Sequence, residues 1–558
     1  NFALFAAVVF GLGTSLFVAD AGVATVWKNN WGDLAFHLGM IASFVHGPGF
    51  PPEYHVYAGE TLSYPFLANL WAASAWWIQP TFPALHRIFV FEWVALWCAA
   101  YFLLRGRRRP GLPWALLFGG GSLAWLGANA GEGIAQGAPF TAFLPTIWVT
   151  QRAAPLGMCA ALAALHLFLD AERAESRAAR HAGVAAAALV LALAPLAHAH
   201  LAAVAGAWIG LALLMRLPGS ARELALFGVC GLPALLWLPW LVGKAGTLGL
   251  AAGWATGADA SLEGAARGLA SALMWLRDAP VWLALAGFLA WHAGRRDWFA
   301  PLGLLFVAAN LVQLAVWDWD QIKVFLGLVV VLLALWSRLP GRAPQLAQLA
   351  CVLLALPGLV EARAAFVAAP LRLYTERDLE LAASLRAVTP PQAVIACAPL
   401  HDTPAALSGR RLWLGYTQTL WSHGIDFRER VARLERLDAV PDCEEEPCPT
   451  HLLWTEDERR FWGRARPGPR FAPTAHAFLY AVPRAAPGEP GSRAYGARPP
   501  VSRRFAVSLT SLPSAPAPSF SSAAFITRPM SFGPAAPSSP ITRATAASIA
   551  AASGAAGR

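Results

Sequence analysis

The feature that most constrains this chain is the recurrence, from residue 3 to residue 368, of apolar stretches about one bilayer long, separated by clusters of arginine. A helix needs roughly 20 apolar residues, within about 17–25, to cross the hydrocarbon core, and cytoplasmic loops collect Lys and Arg. Of the 558 residues, 57% are hydrophobic and only 14% charged, a balance no ordinary water-soluble domain of this length shows. Eleven stretches are candidate spans, several of them short enough to need interfacial help: 3–19, 87–104, 114–129, 153–169, 183–197, 201–215, 224–242, 281–293, 299–317, 323–336 and 347–368. Arginines gather at 105–109, 170–181, 216–222, 295–296 and 338–342, and alternate correctly with these spans only if the tryptophan-rich stretch 66–79 does not cross. That stretch therefore reads as an interfacial or re-entrant helix within a long first external loop, 20–86. The expected fold is an all-α polytopic membrane protein with about eleven transmembrane helices over 1–369. Its acidic and aromatic loops, 20–86, 130–152, 244–280 and 318–322, share the outer face.

Beyond residue 369 charges rise and apolar runs shorten. The stretch 393–398 reads as a strand and 427–437 as a charged amphipathic helix, so 370–483 is expected to be a small extracytoplasmic α/β domain. From 484 to 558 the chain is rich in Ala, Ser, Pro and Arg without sustained periodicity, the composition of a disordered tail. That tail holds eight arginines and one acid, Glu489. It accounts for +7 of the formal charge of +10, so the charge does not indicate a nucleic-acid partner. Cys98, Cys159, Cys230 and Cys351 lie in apolar runs and read as small hydrophobes, whereas Cys443 and Cys448 flank a polar turn and would form a disulfide in an oxidising compartment. The chain opens at Asn1 beside the first apolar stretch, with no initiator Met and no cleavable signal peptide, and is expected to be truncated there. The scarcity of lysine beside abundant arginine and alanine suggests a bacterium of GC-rich genome, and hence an inner, plasma-membrane location.

The residues that could carry chemistry lie on the outer face. Asp33 and His37 are four apart, so on a helix they share a side. Asp33 is either a general base, or cation ligand with His37, or the cap of a short interfacial helix. Further along the same loop, Glu60 and Tyr64 stand among the prolines and glycines of 51–65, and a loop this long is more often functional than idle. Glu132 lies in a glycine-rich segment outside the third span, either used or merely solvated. Arg152 stands where the charge rule disfavours arginine, and would grip a lipid phosphate or snorkel to headgroups. Asp318, Asp320 and Lys323, interleaved with Trp317 and Trp319, combine indole faces for sugar rings, carboxylates for hydroxyls and an ammonium for phosphate. The alternative there is an aromatic belt with an Asp–Lys ion pair. His198 and His200 read as hydrogen-bonded histidines at a span turn.

Together these residues resemble the GT-C superfamily of polytopic glycosyltransferases, which use sugars carried on polyprenyl phosphate or pyrophosphate. The resemblance covers residues 20 to about 369. It rests on an acid and an interfacial helix in a long first external loop, a second acidic external loop, and many further spans. It implies Asp33 as the catalytic acid and Glu132 as the second-loop acid, with His37, Glu60, Tyr64, Arg152, Asp318, Asp320 and Lys323 as substrate-binding residues. The implied partners are a polyprenyl-phosphate-linked sugar and membrane lipids. The chain also looks like bacterial relatives of that group with a Gly-Asp-x-x-x-His first loop, a Gln-Arg pair, a Trp-Asp-x-x-Lys turn and a terminal Ser-Gly-Arg and Trp-Ser-His-Gly pair. Here these are Gly32 to His37, Gln151-Arg152, Trp319 to Lys323, Ser408 to Arg410 and Trp421 to Gly424. The family's paired acids are absent from the first two loops, so a divalent metal is a possible rather than a required cofactor. A flippase or transporter, and a non-catalytic scaffold, are the competing classes. A transporter predicts broken helices at membrane depth and two matching halves.

Overall fold

The structure, a computed structural model, describes residues 1–19, 21–50, 53–105, 109–120, 142–237, 249–250, 264–313, 318–339, 345–437, 440 and 447–483. The described residues up to 483 fall in one compact unit; the expected disordered tail, 484–558, lies outside the described residues.

The first part is helical. Helix α1 (Phe2–Thr14) leads to strand β1 (Gly22–Thr25) and then to α2 (Asn30–His46), α3 (Leu67–Ile78), α4 (Phe82–Leu104) and α5 (Leu112–Phe118). A single π-helical turn at Leu144–Trp148 precedes α6 (Ala154–Ala171), α7 (Arg177–Leu193), α8 (Pro195–Leu214) and α9 (Ala221–Gly231). After the short strand β2 (Gly249–Leu250) come α10 (Gly264–Asp278), α11 (Pro280–Ala293), α12 (Arg296–Leu311), strand β3 (Val312–Gln313), α13 (Asp318–Arg338) and α14 (Gln345–Val367). The starts follow local rules. Thr81 accepts from the amide of Ala84 and Ser176 from that of Ala179, while prolines occupy the first turns of α4, α6, α8 and α11, where a missing N–H costs nothing.

Among the described residues four helices, α4, α6, α8 and α14, are long and apolar enough to cross a membrane. A fifth crossing follows if Gly268–Asp278 and Pro280–Ala293, bent by 88°, form one span. The eleven expected spans are thus not all matched by helices of that length. Helix α1 has 13 residues, and the stretches 114–129 and 224–242 run into 121–141 and 238–248, outside the described residues. The stretch 66–79 forms the 12-residue helix α3, whose Trp71, Trp77 and Ile78 are exposed.

Packing within the bundle depends on close approach, because lipid tails are as apolar as Leu and reward no extra burial between helices. Helix α6 packs against α7 and α8, α1 against α4, and α14 against α5. At the last contact a Cβ on Gly358 would stand 2.3 Å from the carbonyl oxygen of Phe118, so glycine sets how near α14 lies to α5.

The terminal part is α/β. It runs β4 (Leu371–Thr375), α15 (Glu376–Val388), β5 (Val394–Ala396), α16 (Pro404–Leu407), β6 (Arg411–Leu412), α17 (Thr417–Ser422), α18 (Arg428–Glu435), β7 (His451–Leu453), α19 (Glu456–Trp462), β8 (Ala472–Pro473) and β9 (Leu479–Ala481). Five strands form a sheet in the order β6-β5-β7-β9-β8, with β6, β5 and β7 parallel and β9 antiparallel to both its neighbours. Capping boxes at Thr375/Asp378 and Thr455/Glu458 start α15 and α19. Cys448 is disulfide-bonded, and Cys443 lies outside the described residues.

The terminal part is fused to the first loop rather than hung from the bundle. Strand β1 pairs antiparallel with β4, Val23 opposite Tyr374. Phe36, Met40, Tyr54, Val56, Ala58 and Leu62 share one hydrophobic core with β5, β6 and β7.

Candidate functional site

Helix α2 organises the site. Asp33 is exposed in its first turn, where the partial positive charge of a helix N-terminus favours an anion. One turn on, His37 is 2% exposed. The pair shares a side of the helix, but the two residues occupy different environments: the carboxylate faces out and the imidazole faces in.

His37 lines a small cavity with Leu16, Asn30, Leu34, Phe89, Glu92, Trp93, Trp148, Thr150 and Arg152. The Asn69 amide donates to its Nδ1 at 3.1 Å. Nδ1 then accepts, Nε2 carries the hydrogen, and Nε2 has no hydrogen-bond partner among the described residues. Burial first, then the charge of Arg152, then His55, His423 and Lys323, pushes the pKa of His37 down to about 3. It is therefore a neutral N–H donor at physiological pH.

Arg152 sits deeper than a headgroup-seeking arginine would. Its side chain is 9% exposed and ion-paired with Glu92 of α4. It also donates to the carbonyl of Ala68 at 3.3 Å and lies 3.5 Å from the centroid of the Phe89 ring. Stacking and a forked donor are what a guanidinium does and an ammonium cannot. Glu92 was not among the sequence candidates. It stands alone inside an apolar run, and its partner is 60 residues away. An acid in such a run is itself a signal, since an uncompensated carboxylate at membrane depth is costly.

Lys323 is half-buried in the second turn of α13, and its charge reaches both His37 and His198. Asp318 and Asp320 fall in the first turn of the same helix; their side chains lie outside the described residues. His198 is 4% exposed at a break in α8, with φ −158° and ψ 104° inside an otherwise helical stretch. Its ring centroid is 5.8 Å from that of His200. Glu132 lies outside the described residues.

The other face of α2 is covered by the terminal domain. Around the Phe36 ring stand those of His55 at 5.0 Å, Tyr64 at 5.2 Å, His423 at 5.5 Å, His37 at 5.6 Å and Tyr54 at 5.9 Å. The Tyr54 hydroxyl is hydrogen-bonded to Nδ1 of His423. Burial drives the pKa of His55 down to about 3 and that of Tyr54 well above its ordinary value. Tyr64 thus sits between the imidazoles of His37 and His423. Glu60 is half-buried, and its backbone carbonyl accepts from the amide of Tyr54 at 2.7 Å. Beside Asp33, the ring of Trp31 meets His401 edge-on at 3.8 Å, with Tyr416 5.7 Å from His401.

The two segments that carry the terminal part of the resemblance both touch the first loop. His423 does so through Tyr54. Arg410, 3% exposed, donates to the carbonyls of His46 at 2.7 Å, Thr389 at 2.8 Å and Arg386 at 2.9 Å, and to the Thr389 hydroxyl at 3.1 Å. Gly409 has φ +74°, and a Cβ there would stand 2.6 Å from the carbonyl oxygen of Ala42. Only glycine fits both the turn and the approach.

Among the described residues no three His, Cys, Asp or Glu side chains converge on one metal position.

No family model and no curated protein matches the chain. Among solved structures it is similar to the archaeal oligosaccharyltransferase AglB from Archaeoglobus fulgidus in complex with an inhibitory peptide and a dolichol-phosphate. The TM-score is 0.39 at 10% identity, and the match covers 75% of this chain and 64% of that one. The chain thus spans less than two thirds of that structure's length.

Proposed function

We propose that this chain is a glycosyltransferase of the bacterial inner membrane, crossing it about eleven times, that moves a sugar from a polyprenyl-phosphate carrier to an extracytoplasmic acceptor. The observation that carries this reading is the setting of His37. This one buried N–H donor lies a single turn from the exposed carboxylate of Asp33, lines a cavity with Arg152 and feels the charge of Lys323. That combination suits two ligands held side by side, a donor bearing phosphate and an acceptor bearing a hydroxyl nucleophile.

In the reaction, Asp33 accepts the proton of the acceptor hydroxyl as its oxygen bonds to the anomeric carbon, and the bond from that carbon to the phosphate oxygen breaks. The polyprenyl phosphate leaves carrying its electron pair. Lys323 offsets the negative charge of the phosphate, and Asp318 and Asp320 are assigned to the sugar hydroxyls. His37 donates from Nε2 to a phosphate or ring oxygen, and Tyr64 bounds the sugar. Arg152, tied to Glu92, shapes the cavity wall more than it supplies charge. Glu132, in the second external loop, assists, and Glu60 holds the turn that positions Tyr54. The terminal part lies on the outer side, and its His401 and Tyr416 wall the acceptor side together with Trp31 of α2.

The test is transfer by the full-length protein in proteoliposomes supplied with polyprenyl-phosphate sugars. Asp33→Asn should lower the rate by about 100-fold or more, the usual size of a general-base contribution, at unchanged thermal stability. Transfer at the wild-type rate would remove Asp33 from the chemistry. The lipid-linked sugars that accumulate on deletion of the protein, identified by mass, would name the donor.

Two broken helices favour a second reading, movement of a lipid-linked substrate: the 88° bend between α10 and α11, and the break at His198. A flippase would carry its substrate across with Asp33→Asn as well as without it.

A further inference from the structure

A second cavity lies away from α2, at the arginine end of the bundle. It is a lateral groove of about 360 Å³, a size common to ligand pockets, between α5, the end of α13 and the first half of α14. On α14 its wall is Gln348, Cys351, Val352, Ala355, Leu356 and Leu359. This stripe keeps helical spacing over roughly 16 Å at 1.5 Å per residue. Trp114, Phe118 and Trp336 close the opposite side. Val352 and Leu359 are 58% and 45% exposed, so the groove opens sideways from a helix long and apolar enough to cross a membrane.

One end is cationic. Arg109 lines the groove, is 6% exposed and donates to the carbonyl of Leu339 at 2.6 Å. The charge of Arg173 reaches it. Arg173 in turn donates to the carbonyl of Arg338, whose own guanidinium is paired with Asp170. Arg109, Arg173 and Arg338 are thus linked in a row at one end of the apolar slot, and only Arg338 of the three is paired there with Asp170.

We propose that this groove is a binding site for an anionic phospholipid of the leaflet on the arginine side, one acyl chain lying along α14 and the headgroup phosphate at Arg109 and Arg173. The length and open flank of the slot suit a chain entering from the bilayer, and the charge at its end selects the headgroup. The site is independent of the reading given for α2, and neither depends on the other.

The test uses the full-length protein in detergent, titrated with phosphatidylglycerol or phosphatidylcholine of identical acyl chains and followed by native mass spectrometry. Phosphatidylglycerol should be retained at least tenfold more tightly. Arg109→Gln should abolish that preference, and Ala355→Phe, which fills the slot, should weaken retention of both lipids. On the wild-type protein, where folding of a variant is not in question, a phosphatidylglycerol with a diazirine in its acyl chain should label 110–118 and 348–359. Equal retention of the two lipids, or labelling that avoids these segments, would overturn the proposal. So would displacement of the bound phosphatidylglycerol by polyprenyl phosphate at lower concentration than by phosphatidylglycerol itself, which would make the groove a carrier-chain site instead.

Discussion

The guanidinium of Arg152 is ion-paired with the carboxylate of Glu92 across α4 while lying flat on Phe89 of the same helix. Both charges are nearly sealed, at 9% and 13% exposure, so removing either leaves the other stranded. Glu92→Ala should cost about 3–5 kcal/mol, as breaking a buried pair does. The double variant Glu92→Leu with Arg152→Met should recover most of that loss, because an apolar pair of similar volume suits the site. Thermal unfolding of the wild type and both variants in detergent distinguishes a pair held for stability from two independent residues.

Arg410 and Gly409 hold the terminal domain on α2. Arg410→Ala would leave the carbonyls of His46, Thr389 and Arg386 without that donor, a loss on the order of 3 kcal/mol. Arg410→Lys should recover only part of it, since an ammonium cannot fork to all of them. Gly409→Ala should be at least as damaging through its contact with Ala42. Limited proteolysis between 47 and 66 should report the loosened loop in each case.

The buried imidazoles make this junction acid-sensitive. His37 and His55 stay neutral in the folded protein down to about pH 3, whereas an unfolded histidine takes up a proton near pH 6.5. The unfolded chain therefore binds more protons between those limits, and stability falls as pH drops through that window. It is fully present above about 6.5. The slope approaches about 1.4 kcal/mol per pH unit for each histidine. Unfolding midpoints measured from pH 7 to 4.5 should fall, and His55→Gln should flatten the slope. An unchanged slope would exclude His55 as a contributor.

Glu458 serves two elements. Its carboxylate closes the capping box with Thr455 and also accepts from the amide of Ala398, at the end of β5, at 3.2 Å. Glu458→Ala should destabilise the terminal domain by about 2 kcal/mol, the upper range for a lost cap. Hydrogen exchange should rise at 456–463 and 396–398 together.

Much of the helix pattern is legible in the sequence because hydropathy is local. The run at 87–104 lies within α4, and the run at 153–169 ends two residues before α6 does. The stretch 66–79 is a helix because its apolar residues are consecutive, and Trp71 and Trp77 are exposed because nothing among the described residues covers them. What hydropathy cannot give is a contact between distant residues. Arg152 looks like a surface arginine until Glu92 and Phe89 are beside it. The histidines at 55 and 423 gain meaning only once both stand against Phe36. Asp33 and His37 are one turn apart in sequence, yet only the surrounding elements decide which is wet and which is dry.

The pairing of β1 with β4 joins positions some 350 residues apart. A ribosome adding roughly 5–20 residues per second needs about 20–70 s to go from one strand to the other. Through that interval β1 pairs only locally, with Val18, and the core that Phe36 and Met40 share with β5, β6 and β7 is incomplete. The junction between the first loop and the terminal part is thus finished last, and a chain cut short before residue 371 would carry α1 to α14 with β1 unpaired to β4.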